Sequence, residues 1–152
     1  MLEWMHDANV TRNLQANFSA KELADCEAFI TGCKSDSESE HFAITNEADE
    51  YQGTVSLKHI NTSAKSAEFA IAFRSGAMGH GYSKYGMREI IRWGFENLMI
   101  DSIYWCVSPL NHRAVRFYDK NGYERIDVAP TEVMGYTKEQ IADYIWYQVN
   151  KK

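Results

Sequence analysis

The chain has 152 residues, with 16 Lys and Arg against 21 Asp and Glu, a formal charge of −5. Its length favours one domain that buries roughly two thirds of its unfolded surface without a disulfide or metal staple, and a composition 45% hydrophobic and 13% aromatic excludes disorder. No apolar run reaches the roughly 18 residues of a membrane span, and the acidic balance argues against a nucleic-acid surface, which needs clustered Lys and Arg.

The opening MLEWMHDANV is amphipathic and carries acids, unlike a signal peptide. Residues 2–16 read as a short helix with Leu2, Met5 and Val10 as core positions. Ser19 is the expected cap of a second helix, with Glu22 at the capping-box position. That helix runs to about Gly32, with Leu23, Cys26, Phe29 and Ile30 at helical spacing. Residues 34–40 are polar and read as a loop. Three strand-like runs follow, 41–46, 53–60 and 67–73, joined by short turns into an antiparallel meander. The third puts Phe69, Ile71 and Phe73 on one face and alanines on the other. The period then changes: 81–98 is a helix with Met87, Ile90, Ile91, Gly94, Phe95 and Leu98 on one stripe. Residues 102–107 form a strand, 111–120 a helix stopped by Asn121 and Gly122, and 123–128 another strand. Residues 144–149 read as a last strand, with a helix from Thr137 competing. The expectation is one α+β domain with a mixed, mostly antiparallel sheet flanked by helices. A single strand–helix–strand passage supplies the parallel pair.

The three cysteines, Cys26, Cys33 and Cys106, form no C-x-x-C pair, which argues against structural zinc. Cys26 and Cys33 share a helix about 10 Å apart by helical rise, too far for a disulfide. All three are read as reduced, in a cytoplasmic compartment.

The segment RSGAMGHGYS, residues 74–83, joins a strand to a helix. Its glycines permit close approach by a ligand, and the free first amides of the helix form a site for phosphate or pyrophosphate. A P-loop needs a lysine where Tyr82 stands, and the dinucleotide pattern needs a third glycine where Lys84 stands, so both fail. The glycines of this turn do fit the [QR]-x-x-G-x-[GA] loop of the GNAT N-acetyltransferases, with Gly79 and Gly81 in its last two glycine positions and Gly76 at the [QR] position.

Downstream, SPLNHRAVRFYDKNGYE resembles the GNAT segment N-x-x-A-x-x-x-Y-x-K-x-G-[FY], matched by Asn111, Ala114, Tyr118, Lys120, Gly122 and Tyr123. The likeness covers nearly the whole chain. It is nearest the branch of the ribosomal-protein alanine and amino-sugar acetyltransferases, with the strand that usually precedes the first helix missing. The resemblance implies a GNAT fold and acetyl-coenzyme A as co-substrate, without a metal. The reaction it implies is direct attack of a primary amine on the bound thioester. Glu68, at the family's glutamate position, is the expected base, and Tyr118 the expected acid for the departing thiolate. An aliphatic amine near pKa 10 is neutral about once in a thousand molecules at pH 7, so a base is useful.

Backbone amides from Ala72 through Phe73 to Arg74 are expected to pair with the pantetheine arm. One near Ile71 or Ala72 is expected to polarise the thioester carbonyl. Met78, Gly79, His80, Gly81, Tyr82 and Ser83 would hold the pyrophosphate, with Lys84, Arg113 and Arg116 as further phosphate partners. Asn111 is a helix cap that by resemblance also bonds the pantetheine. Trp4, Asn9, Arg12 and Asn13 could line the acceptor side. Glu38, Glu40, Glu47, Asp49 and Glu50 are either an attraction for a cationic amine or a solvated loop. The acceptor is a small molecule or peptide amine. Other readings are a non-catalytic coenzyme A-binding module and a nucleotide-phosphate binder. A homodimer could form by pairing of the aromatic C-terminal run across an exposed strand edge.

Overall fold

The computed structural model describes residues 1–152. The N-terminal region holds two four-residue helices, α1 (Leu2–Met5) and α2 (Ala8–Thr11), rather than the single helix expected over 2–16. The break is Asp7, whose extended backbone lets its side chain accept from the Asn9 amide and cap α2. Helix α3 (Leu23–Gly32) is capped by Glu22, with Asp25 completing the box; Ser19 bonds Asn17 instead. Only Cys26 of its apolar stripe is buried, and Leu23 and Ile30 are 61% and 55% exposed.

A six-stranded sheet follows, in the spatial order β1-β2-β3-β4-β6-β5. Strands β1 (Glu40–Thr45), β2 (Tyr51–Asn61) and β3 (Ser66–Phe73) form the antiparallel meander. Helix α4 (Tyr82–Asn97) crosses back so that β4 (Ser102–Val107) runs parallel to β3. Helix α5 (His112–Lys120), the short edge strand β5 (Glu124–Ile126), helix α6 (Lys138–Asp143) and β6 (Ile145–Asn150) complete the chain. The strand expected over 123–128 thus shrinks to three residues, and both competing readings of the tail are realised in succession. β6 pairs with β4 on one side and β5 on the other. The aromatic C-terminal run is therefore an inner strand, covered by β5 over residues 146–148, rather than the exposed edge expected for a dimer contact.

Pleating divides the sheet into two faces. On one, Val55, Leu57, Phe69, Phe73, Ile103, Trp105 and Tyr147 pack against Met87 and Ile90 of α4 and Tyr118 of α5. Burying each large side chain contributes about 1.5–3 kcal/mol. Gly94 lets α4 approach: a Cβ there would lie 2.6 Å from Leu57 Cδ1. The other face carries Glu68, Ala70 and Ala72 and is covered by the N-terminal helices and the segment before β6. A small cluster of Trp4, Met5 and Cys26 packs on its Ala72 end.

Candidate active site

β3 and β4 are paired only at Ser66–Ser102, Ala67–Ile103 and Glu68–Tyr104. Beyond Glu68 the strands part, and the edge of β3 facing β4 is unpaired to Phe73. This wedge is the main opening in the sheet. The Arg74 amide donates to the Gln52 carbonyl at 3.0 Å. Alternation along an antiparallel strand turns the Ala72 and Ala70 amides the same way, toward β2. The amides facing the wedge are thus those of Phe69, Ile71 and Phe73. This corrects the expected use of the Ala72 and Arg74 amides and retains Ile71 and Phe73. The Arg74 guanidinium is held by Glu3 at 3.0 Å.

The glycine turn sits at the wedge's open end. A 3-10 turn, Ser75–Ala77, leads into Gly79 and Gly81 at φ +85° and +83°. Gly81 is the cap of α4 and offers no side chain, so the first amides of this 16-residue helix, from Tyr82 through Ser83, stay free for an anion. His80 and Tyr82 flank the turn with ring centroids 6.3 Å apart. The second motif meets the first here, where Arg113 of α5 contacts the Met78 sulfur. Asn111 caps α5 by accepting from the Ala114 amide at 3.2 Å. Arg113, Arg116, Phe117 and Lys120 line a groove of about 310 Å³ along the same helix.

Tyr118 lies on the helix-covered face, 6% exposed. Its ring centroid is 5.4 Å from that of Trp105 and 5.1 Å from that of Tyr147. Burial, then the neighbouring Tyr147, pushes its phenol well above the usual range, so it stays protonated at neutral pH. The hydroxyl has no hydrogen bond within the protein and is free to donate.

Glu68 lies on the opposite face and is 2% exposed. Oε2 is 2.8 Å from His59 Nδ1, Oε1 accepts from the Tyr136 hydroxyl, and Lys58 Nζ stands 3.9 Å away. A buried carboxylate needs such partners. The register of β2 slips after Lys58, and His59 takes φ +49°. That bulge lets two consecutive residues reach one carboxylate. Tyr136 arrives from the loop before α6 and packs its ring 5.5 Å from Trp146. Burial, followed by Cys106 and Glu68, raises its phenol. Tyr104, opposite Glu68, has a buried hydroxyl with no partner. Burial pushes the Cys106 thiol up to about 12, which makes it no nucleophile at neutral pH. Lys58, His59, Tyr104 and Tyr136 were not anticipated from sequence, because a bulge and a loop contact 68 residues away leave no periodic signal.

The expected acceptor residues fare differently. Trp4 is buried, donates to the Tyr51 hydroxyl at 3.0 Å, and still presents an edge to the pocket beside Glu3 and Glu50. Asn9 and Arg12 are exposed, and Asn13 is half-buried. Of the acids, Glu50 joins the β1–β2 turn built by Asn46, whose Oδ1 accepts from the Ala48 and Glu50 amides. Glu38 precedes β1 and Glu40 opens it. Glu3, Glu50, Trp4, Tyr51 and Arg74 border a pocket of about 250 Å³. No group of three or more His, Cys, Asp or Glu is placed to hold a metal ion, and no helix is long and apolar enough to cross a membrane.

A family described as "Acetyltransferase (GNAT) domain" matches residues 1–124. No curated protein sequence matches the chain. Among solved structures, the spermidine N-acetyltransferase from Vibrio cholerae in complex with CoA and spermine superposes with a TM-score of 0.79 at 19% identity, over 98% of this chain and 86% of that one. A dodecameric structure of the same enzyme in an intermediate state gives 0.70 at 22% identity, over 98% and 87%.

Proposed function

The chain belongs to the GNAT acetyltransferase family, and from that premise we propose that it moves the acetyl group of acetyl-coenzyme A to a primary amine of a small polyamine-like cation. The observation that carries the reading is the wedge between β3 and β4, with the glycine turn and the head of α5 converging at its open end.

In this reading the pyrophosphate lies on the amides of Gly79 to Ser83, and the basic groove of Arg113, Arg116 and Lys120 takes the remaining phosphate of the cofactor. The pantetheine adds as a partial strand to the free edge of β3. The Ile71 amide is the donor for the thioester carbonyl, where charge develops in the transition state. The amine comes from the Glu68 face and attacks in a ternary complex. Tyr118, on the other face, supplies the thiolate's proton. Amines are mostly cationic at neutral pH, so the group around Glu68 removes a proton before attack.

The support for a polyamine-like acceptor is that the related spermidine N-acetyltransferase binds spermine alongside CoA. The pocket beside Glu50 could take one end of such a cation only against the Arg74 guanidinium, which already pairs Glu3. An N-terminal alanine peptide and an amino sugar, the acceptors of the branch the sequence resembles, are the competing substrates.

The test is calorimetric titration with acetyl-coenzyme A, then free-thiol release with spermidine, spermine, an alanyl peptide and an amino-sugar nucleotide. The expected result is micromolar binding and release with the polyamines. Release only with the peptide or the sugar reassigns the acceptor. Binding without release from any amine points to a coenzyme A-binding module.

A further inference from the structure

We propose that His59 is the general base of the reaction and that Glu68 is its positioning residue, a refinement that rests on the N-acetyltransferase reading. Glu68 is 2% exposed and both of its oxygens are occupied, one by His59 and one by Tyr136. An incoming ammonium finds no free face on that carboxylate. The imidazole is the part of the pair that reaches solvent, its side chain 31% exposed, and Nε2 makes no hydrogen bond within the protein. An ionised carboxylate 2.8 Å from Nδ1 fixes the proton on that nitrogen and leaves the Nε2 lone pair open. This is the arrangement in which a buried acid orients an imidazole and stabilises its cation.

The backbone is bent to make this pair. His59 holds φ +49°, a conformation rare for residues with a side chain, at the slip in the β2–β3 register. Without the bulge, strand alternation would send Lys58 and His59 to opposite faces. The titratable groups facing Glu68 besides His59 are Lys58 on β2, Tyr104 and Cys106 on β4, and Tyr136 on the loop before α6, with Glu132 of the same loop acting on Tyr104. Tyr104, paired opposite Glu68, keeps its hydroxyl buried and without a partner.

The proton balance closes with these groups. Nε2 takes one of the three protons of the ammonium. The freed lone pair attacks the thioester carbon, the C–N bond forms, and the C–S bond breaks. A second proton leaves nitrogen for the thiolate by way of Tyr118. The third remains on the amide. The imidazolium returns its proton to water, so each turnover releases one proton.

The test compares His59→Gln and His59→Ala with the parent chain, by kcat/KM from pH 5.5 to 9 and by calorimetric affinity for acetyl-coenzyme A. Glutamine keeps a donor for Glu68 and has no basic nitrogen. The expected result is a loss of about 100-fold or more in kcat/KM, with cofactor affinity unchanged. The acid limb that follows imidazole protonation disappears, and added imidazole restores part of the His59→Ala rate. The assignment is overturned if His59→Gln keeps both its rate and the acid limb. It is equally overturned if both variants lose cofactor affinity and imidazole restores nothing, the mark of a purely structural histidine. Failure of the broader reading is distinct: the parent chain itself releases no thiol with any amine, and the dyad falls with it.

Discussion

Glu68 and Tyr104 are the last residues across which β3 and β4 run side by side. One strand ends its pairing on a buried carboxylate, the other on a buried phenol without a partner. In the proposed reading the chemistry lies at the apex of the wedge, and the glycines at its open end take the cofactor's pyrophosphate. A strand rise of about 3.3 Å per residue puts Arg74 roughly 20 Å along the chain from Glu68, a span suited to an extended cofactor arm.

Glu68→Gln keeps the size of the side chain and removes its charge. His59 then loses the anion that fixes its tautomer, and an imidazolium formed during turnover loses its counter-charge. The expected outcome is a fall in kcat/KM of about 100-fold or more with acetyl-coenzyme A affinity within about threefold of the parent. Glu68→Ala also leaves the Tyr136 hydroxyl unpaired, and chemical denaturation should show a further loss of about 1–3 kcal/mol.

Tyr118→Phe removes a hydroxyl that has no partner in the protein while its ring stays packed against Trp105 and Tyr147. Stability should change by less than about 1 kcal/mol, since no hydrogen bond is broken. Turnover should fall by about 10²-fold if the phenol donates to the thiolate. Equal kcat for both proteins removes Tyr118 from the chemistry.

Arg113 and Arg116 are exposed on the groove face of α5. Replacing each with Ala should raise KM for acetyl-coenzyme A about tenfold, the value of a charge-assisted contact, and leave kcat alone. The effect should shrink in high salt and vanish with dephospho-acetyl-coenzyme A. An equal effect on both cofactors places the phosphate elsewhere.

The meander, α4, β4 and α5 were legible because each carries its own period: two for β3, 3.6 for the stripe through Met87, Ile90 and Gly94. The glycine turn and Asn111 were legible because caps and positive φ demand particular residues. The apex was not. His59 joins it through a register slip, Tyr136 through a loop, and neither leaves a pattern in a window of sequence. The apolar spacing of α3 misled in the other direction: Leu23 and Ile30 keep helical spacing and still face outward. The insertion of β6 between β4 and β5 is a choice of strand order, which local periodicity does not encode.

Gly94→Ala sets two effects against each other. Alanine favours a helix by about 1 kcal/mol, but its Cβ would meet Leu57 Cδ1 at 2.6 Å, and Leu57 is fully buried, so its side chain must shift within the core. Overpacking costs about 1–3 kcal/mol, so the net change should be destabilising. Gly86→Ala meets its neighbours at 3.1 Å and should cost less. Denaturation midpoints of the two variants test the order.

The buried phenols should make the fold less stable at alkaline pH. Tyr104, Tyr118 and Tyr136 are each raised above the ordinary tyrosine range, chiefly by burial. Each therefore keeps its proton in the folded chain at a pH where the unfolded chain, near pKa 10, has lost it. Since ∂ΔG/∂pH follows the protons bound by the unfolded state minus those bound by the folded state, the sign is negative above about pH 10. The contribution is complete below that pH and declines by up to about 1.4 kcal/mol per pH unit for each phenol. Thermal melts from pH 8 to 11 should show the midpoint falling at the alkaline end, and Tyr118→Phe should make the fall shallower. An unchanged slope in the variant would mean that Tyr118 titrates alike in both states, and that its hydroxyl is open to water rather than enclosed against Trp105.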